Sequence, residues 1–175
     1  GADEEAVTPT IATARLVLRP LRKPSARNLG WLRDADVVQF SEQRHRQHTL
    51  STQLRYVDGF KGKSRLWAIW HVMDNEYIGN VSATCDEPNG VADMGIMIGE
   101  TRYWGKGYAG EAWKAACDHM LHAGGVRKLE AGCMRSNVFM VKINQGSGFR
   151  QEGELLNHFL LKGGPVSALL FGRAR

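Results

Sequence analysis

Cysteine is scarce in this chain, and the three present, Cys85, Cys117 and Cys133, form no Cys-x-x-Cys pair. An odd number without that spacing argues against both a disulfide frame and a thiolate zinc site. Long apolar runs are missing too. None approaches the roughly 18 residues of a bilayer-spanning helix, so no membrane partner is expected. No charged, apolar and small-residue leader stands ahead of the first patterned segment, which leaves a reducing cytoplasm as the expected compartment. With no RNA-binding signature and no aromatic-studded strand pair, nucleic acid is not an expected partner. Acidic residues are short only locally. Gly1 to Ala14 carries three acids and no base, Arg15 to Arg65 twelve Lys/Arg against four Asp/Glu, and Leu66 to Arg175 eleven of each. The surplus behind the net charge of +5 therefore lies in the N-terminal third. Such a block either steers an anionic partner or forms a solvated basic face.

What remains is ordinary globular material: 175 residues, 43% hydrophobic and 23% charged, enough for one sizeable core. Gly1 to Thr13 reads as a flexible acidic tail and residues 14–175 as a single domain. Arg15 to Arg19 alternates as a half-buried strand does. Helical spacing runs from Ala26 to Phe40 with Ser25 as cap, and again from Thr52 to Phe60. Leu66 to Val72 and Glu76 to Thr84 form a hairpin around Asp74-Asn75. The turn Asp86 to Gly90 precedes a strand from Ala92 to Gly99. Tyr108 to Ala123 carries an apolar stripe at helical period and ends at Gly124-Gly125. Lys128 to Met134 is a strand, and Val138 to Gln145 a short helix capped by Asn137. Phe149 to Leu161 and Val166 to Arg173 flank a last turn. The expected class is α/β (α+β), a mixed central sheet with helices on both faces.

The most informative stretch is Tyr103-Trp104-Gly105-Lys106-Gly107-Tyr108-Ala109-Gly110, a glycine turn between a strand and a helix. Glycines let the backbone approach a ligand with no Cβ in the way. The helix that follows presents unpaired N–H groups, and together these make an anion site suited to a diphosphate. A P-loop is excluded, because Lys106 lies between glycines and Tyr108 follows. A dinucleotide fingerprint matches literally, with Glu130 near the required offset of about 20 residues. It fails on position, because too little βαβ sequence follows.

These residues resemble the acetyl-coenzyme A signature of GCN5-related N-acetyltransferases, Gln/Arg-x-x-Gly-x-Gly/Ala, with Trp104 departing at the first position. Asp93 to Gly99, and Asn137-Val138-Phe139-Met140 followed by Gly148-Phe149, are similar to the branch that contains ribosomal-protein alanine N-acetyltransferases. The resemblance covers Ala14 to Arg173. It implies a GNAT-like domain that uses acetyl-CoA and transfers acetyl directly to an amine. It also implies cofactor contacts from Met97, Ile98 and Gly99 on a splayed strand, from Trp104, Gly105, Lys106, Gly107, Tyr108, Ala109 and Gly110 in the turn, and from Asn137 and Asn144. Asp93 stands where the branch often has Glu and is the candidate proton acceptor, directly or through water; its alternative role is a strand-end carboxylate paired with a base. Where the family often places a Tyr general acid this chain has Asn144, which has no proton to supply.

A lysine-like amine of pKa about 10.4 costs roughly 4.6 kcal/mol to deprotonate at pH 7, an α-amino group near 7.8 only about 1 kcal/mol. Weak proton machinery therefore suits protein N-termini or amino sugars. In Ser41 to His48, the residues Arg44, His45, Arg46 and His48 form a candidate acceptor clamp for a phosphate or diphosphate, or else a solvated loop. The cluster resembles enzymes that acetylate nucleotide-linked amino sugars. The expected partner is thus a small anionic amine or a peptide N-terminus, and the alternatives include a catalytically inactive CoA-binding module. His45 and His48 lack further ligands at useful spacing, so no metal is expected. The oligomeric state stays open, a homodimer included.

Overall fold

The computed structural model describes residues 7–175. Its strands are β1 (Ile11–Ala12), β2 (Leu16–Pro20), β3 (Arg65–His71), β4 (Glu76–Asp86), β5 (Val91–Ile98), β6 (Lys128–Met134), β7 (Arg150–Leu161) and β8 (Gly164–Ala174). They join one sheet in the order β1-β2-β3-β4-β5-β6-β8-β7. The helices are α1 (Ala26–Leu32), α2 (Leu50–Asp58), α3 (Tyr108–His122) and α4 (Val138–Gly146).

Side chains alternate between the two faces of a strand, and burial shows which face is which. On one face Leu16, Leu18, Trp67, Ile69, Val81, Ala92 and Met94 pack with Ala112, Trp113, Ala116, Met120 and Leu121 of α3. Complete burial of Met120 or Leu121 contributes roughly 1.5–3 kcal/mol each. On the opposite face Trp31 of α1 packs with Ala68 and Tyr77, and Trp70 and Met97 lie against them. The expected helices on both faces are therefore present.

Neighbouring strands pair antiparallel except β5 and β6. These meet in parallel over three residues, Val91 to Asp93 against Lys128 to Glu130. Beyond that point β5 pairs with β4 through Ile98, while β6 pairs with β8 through Met134. A wedge opens between them, its apex at Asp93 and Glu130.

Several element boundaries differ from expectation. The first helix stops at Leu32 rather than Phe40, because the Asp34 carboxylate accepts the Asp36 amide at 2.9 Å and turns the chain. The second begins at Leu50 rather than Thr52, because Thr49 and Thr52 form a capping box. Part of the expected tail lies outside the described residues. The rest is tied down: Ile11–Ala12 pairs with β2, and the Pro9 carbonyl accepts from the Trp67 indole at 2.8 Å.

Candidate active site

At the head of α3 the chain runs through a single helical turn, Thr101–Tyr103, into Gly105 at φ +72° and Gly107 at φ +82°. Gly107 caps α3 without a side-chain hydrogen bond. A Cβ at Gly105 or Gly110 would meet nothing within 4 Å, and one at Gly107 only Arg15 Nη2 at 3.4 Å. The main chain of the turn thus faces open space, and the first amides of α3 point into it without helical partners. A coenzyme diphosphate fits such a cradle on both charge and clearance.

Arg15, which the sequence did not single out, braces this turn. Its Nη1 donates to the Lys106 carbonyl at 2.9 Å, its guanidinium lies 4.3 Å from the Tyr108 ring centroid, and its Nε pairs with Glu111 at 2.8 Å. A carboxylate in the first turn of α3 would repel an anion. Arg15 neutralises Glu111, and the Thr13 hydroxyl donates to it at 2.6 Å. Nothing local could have announced this pairing, because 96 residues separate the partners.

The free edge of β5 supplies a second set of backbone groups. The Gly99 amide is not among them, since it donates to the Ile78 carbonyl at 2.8 Å. In the antiparallel register Asn80 with Met97 and Gly79 with Ile98, alternation turns the Met97 amide toward β4 as well. Of the three expected donors, Ile98 alone presents its N–H to the wedge, and Ile96 joins it. The Ile98 carbonyl, on the same edge, accepts from the Trp104 indole at 2.8 Å. Gly99 has a different role. A Cβ there would fall inside the Trp31 indole, whose Nε1 donates to Glu100 at 3.0 Å.

This separates two kinds of glycine by experiment. Gly99→Ala is expected to lower the melting temperature markedly through overpacking, roughly 1–3 kcal/mol. Gly110→Ala is expected to raise stability by roughly 0.5–1 kcal/mol, as Ala replaces Gly within a helix, while it weakens coenzyme binding. Thermal denaturation of both variants, with and without coenzyme A, checks the contrast.

Across the wedge, Asn137 caps α4 by accepting the Met140 amide at 3.3 Å. Asn144 is completely buried, and neither its Oδ1 nor its Nδ2 has a hydrogen-bond partner among the described residues. It lies beside Cys133, whose thiol is pushed up by burial. A buried amide left unpaired is costly.

Asp93 marks the apex of the wedge on the α1/α2 face. Crowding by the surrounding protein, then the Glu130 carboxylate opposite, pushes its carboxyl up to about 6. No base pairs with it among the described residues.

On that same face lies a cavity of about 210 Å³, bordered by Asn28, Gln53, Tyr56, Asn80, Ser82 and Met97 among others. Its polar wall is a fixed chain. The Tyr77 hydroxyl donates to Asn80, Asn80 Nδ2 to Asn28 Oδ1 at 2.8 Å, and Asn28 Nδ2 to Gln53 Oε1 at 2.9 Å. Among the described residues no charged side chain lines this cavity. The sequence signal for it was slight: an asparagine at a core-facing position of α1, and polar alternation along β4.

The expected clamp does not assemble. Arg44 Nη1 is held by Glu42 at 3.0 Å and by the Ser41 carbonyl, and its Nη2 by the Leu160 carbonyl. His48 is buried with Nε2 at the Gln43 carbonyl, whereas His45 and Arg46 are exposed. The segment winds into a single helical turn, Glu42–His45, which sends these side chains in different directions. Ser41 and Gln43, not the basic residues, reach the cavity. Among the described residues no group of three or more His, Cys, Asp or Glu is placed to hold a metal, and no helix is long and apolar enough to cross a membrane.

A wedge between parallel strands, with a glycine turn at the head of the helix that joins them, is the architecture of an acyl-coenzyme A site. A profile of the acetyltransferase (GNAT) domain matches residues 15–150, and the chain belongs to that family. An uncharacterized N-acetyltransferase, p20, from Bacillus licheniformis is 29% identical over 86 residues, a match spanning 49% of this chain and 48% of that protein, about half the length of each. Among solved structures, the ribosomal-protein α-N-acetyltransferase RimL in complex with coenzyme A superposes with a TM-score of 0.81 at 19% identity, covering 95% of this chain and 98% of that one. The spermidine N-acetyltransferase of Vibrio cholerae, bound to coenzyme A and spermine, gives 0.78 at 18% identity over 93% and 96%. At these identities the likeness is one of fold.

Proposed function

We propose that this protein is an N-acetyltransferase that moves acetyl directly from acetyl-CoA to a primary amine, with no covalent enzyme intermediate. The observation that carries this reading is the conjunction of the open glycine turn and the unpaired edge of β5 on one wedge. The amides between Gly105 and Gly110 hold the diphosphate. The Ile98 and Ile96 edge aligns the pantetheine arm and offers N–H donors to charge that develops on the thioester oxygen. The Asn137 cap borders the arm from α4. Acetyl-CoA supplies an activated acyl group; the chain supplies alignment and proton handling. Asp93 takes the amine's proton, through water because its side chain is short.

The cavity on the face that carries Asp93 narrows the acceptor. Walls of amides and hydroxyls suit an amine carried on an uncharged polar body, and the fixed amide chain leaves Gln53 Nε2 as a donor for a hydroxyl or carbonyl. An amino sugar fits this description. The nucleotide-linked form has less support than the sequence suggested, because Arg44 is engaged elsewhere. A protein N-terminus is the second reading, favoured by the match between the Asn28–Gln53 amides and a peptide group.

A thiol-release assay across amino sugars with and without a nucleotide, short N-terminal peptides and polyamines tests the proposal. Turnover of the neutral polar amines is expected, with polyamines poor because no carboxylate among the described residues lines the cavity. Fastest turnover of polyamines would refute the acceptor reading, and no thiol release with any amine would refute the activity.

A further inference from the structure

We infer that His71 is a positioning residue for the coenzyme, holding the glycine turn in its binding shape from below; this rests on the cofactor reading above. His71 ends β3 and is only 8% exposed, on a hairpin that neither the cradle nor the acceptor cavity includes. Its Nε2 lies 2.9 Å from the Tyr108 hydroxyl. Nδ1 faces Asp74, 3.2 Å from its amide and 3.3 Å from its carboxylate, so Nε2 and the Tyr108 hydroxyl share one hydrogen bond on the other side of the ring. The Asp74 carboxylate in turn accepts from the Tyr103 hydroxyl at 2.7 Å. That hydrogen bond, with the nearby His71, Arg102 and Lys106, holds the Asp74 carboxyl below its usual range.

The two tyrosines bracket the glycine turn. Tyr103 precedes Trp104, and Tyr108 is the first residue of α3. The His71 ring centroid is 5.1 Å from that of Tyr103 and 5.0 Å from that of Tyr108, and the two tyrosine rings are 5.8 Å apart. The imidazole thus sits at the hub of three rings and closes the base of the loop. A loop whose ends are pinned pays less to order itself around a ligand. Both glycines at positive φ lie within the pinned segment, so slackening its base would let their amides stray from the diphosphate.

The test is steady-state kinetics with an acceptor found by the screen, joined to titration of coenzyme A by calorimetry. His71→Ala is expected to raise KM for acetyl-CoA and Kd for coenzyme A about tenfold, with kcat and acceptor KM within about twofold. His71→Gln, whose amide nitrogen reaches the place of Nε2, should recover most of that loss. Tyr108→Phe should reproduce it, and the double variant should be no worse than either single one. Tyr108→Phe keeps the ring, so the coupling stays measurable if His71→Ala does not fold. Unchanged coenzyme affinity alongside a lower melting temperature would overturn the inference, as would a failed rescue by glutamine. Absence of coenzyme A binding in the unaltered protein would instead overturn the cofactor reading itself.

Discussion

Replacement of Gly107 by valine is expected to reduce coenzyme A affinity by a factor of about 10² to 10⁴. Gly107 holds φ +82°, a conformation that costs an ordinary L-residue roughly 1–2 kcal/mol and a β-branched one more. The added Cβ would also press on Arg15 Nη2 at 3.4 Å. The turn can relieve both only by rotating its peptide planes. Their amides then leave the diphosphate, and each lost hydrogen bond to a charged group removes about 1.5–3 kcal/mol. Two such losses give the stated range. Gly105→Ala is the informative comparison, because its Cβ meets no protein atom within 4 Å and so isolates backbone strain and crowding of the coenzyme from any clash with Arg15. Calorimetric titration reads both variants. Tight binding to Gly107→Val would show that the diphosphate rests elsewhere.

Asp93→Asn is expected to lower kcat/KM by about 10², the lower end of what a positioned acid–base group contributes. The pH profile carries the sharper test. A carboxyl raised to about 6 is ionised above that pH and protonated below it. Activity should therefore fall as pH drops through about 6, roughly tenfold for each further unit. That acidic limb should vanish in Asp93→Asn. Glu130→Gln removes the facing negative charge, so the limb should move toward the ordinary aspartate value of about 3.9. A limb that survives the loss of Asp93 would assign the proton to another group.

The glycine turn was legible because its chemistry is local. Gly105, Gly107 and the start of α3 are neighbours in the chain, and turn geometry, helix polarity and missing side chains act over a few residues. Element types were legible for the same reason, since period-2 and period-3.6 patterns reflect which face is buried. Boundaries slipped where side chains competed with the backbone, as at Asp34 and at Thr49 with Thr52. The Arg44–His48 cluster misled because adjacency in sequence says nothing about direction. A single helical turn sends Arg44 and His45 to different sides and leaves Arg46 and His48 beyond it, and Glu42 with the Leu160 carbonyl had already engaged the arginine.

From residue order alone come the family resemblance, the placing of helices on both faces and the presence of an anion-binding turn. Each follows from interactions within about ten residues or from alternating burial. The folded sheet decided the rest. Whether a β5 amide faces β4 or the wedge depends on a register shared with a strand a dozen or more residues away. Arg15 reaches Glu111, His71 reaches Tyr108, and Asn28 reaches Asn80 across 96, 37 and 52 residues. Such pairings exist once strands have stacked in the order β2-β3-β4-β5, and no local pattern encodes them.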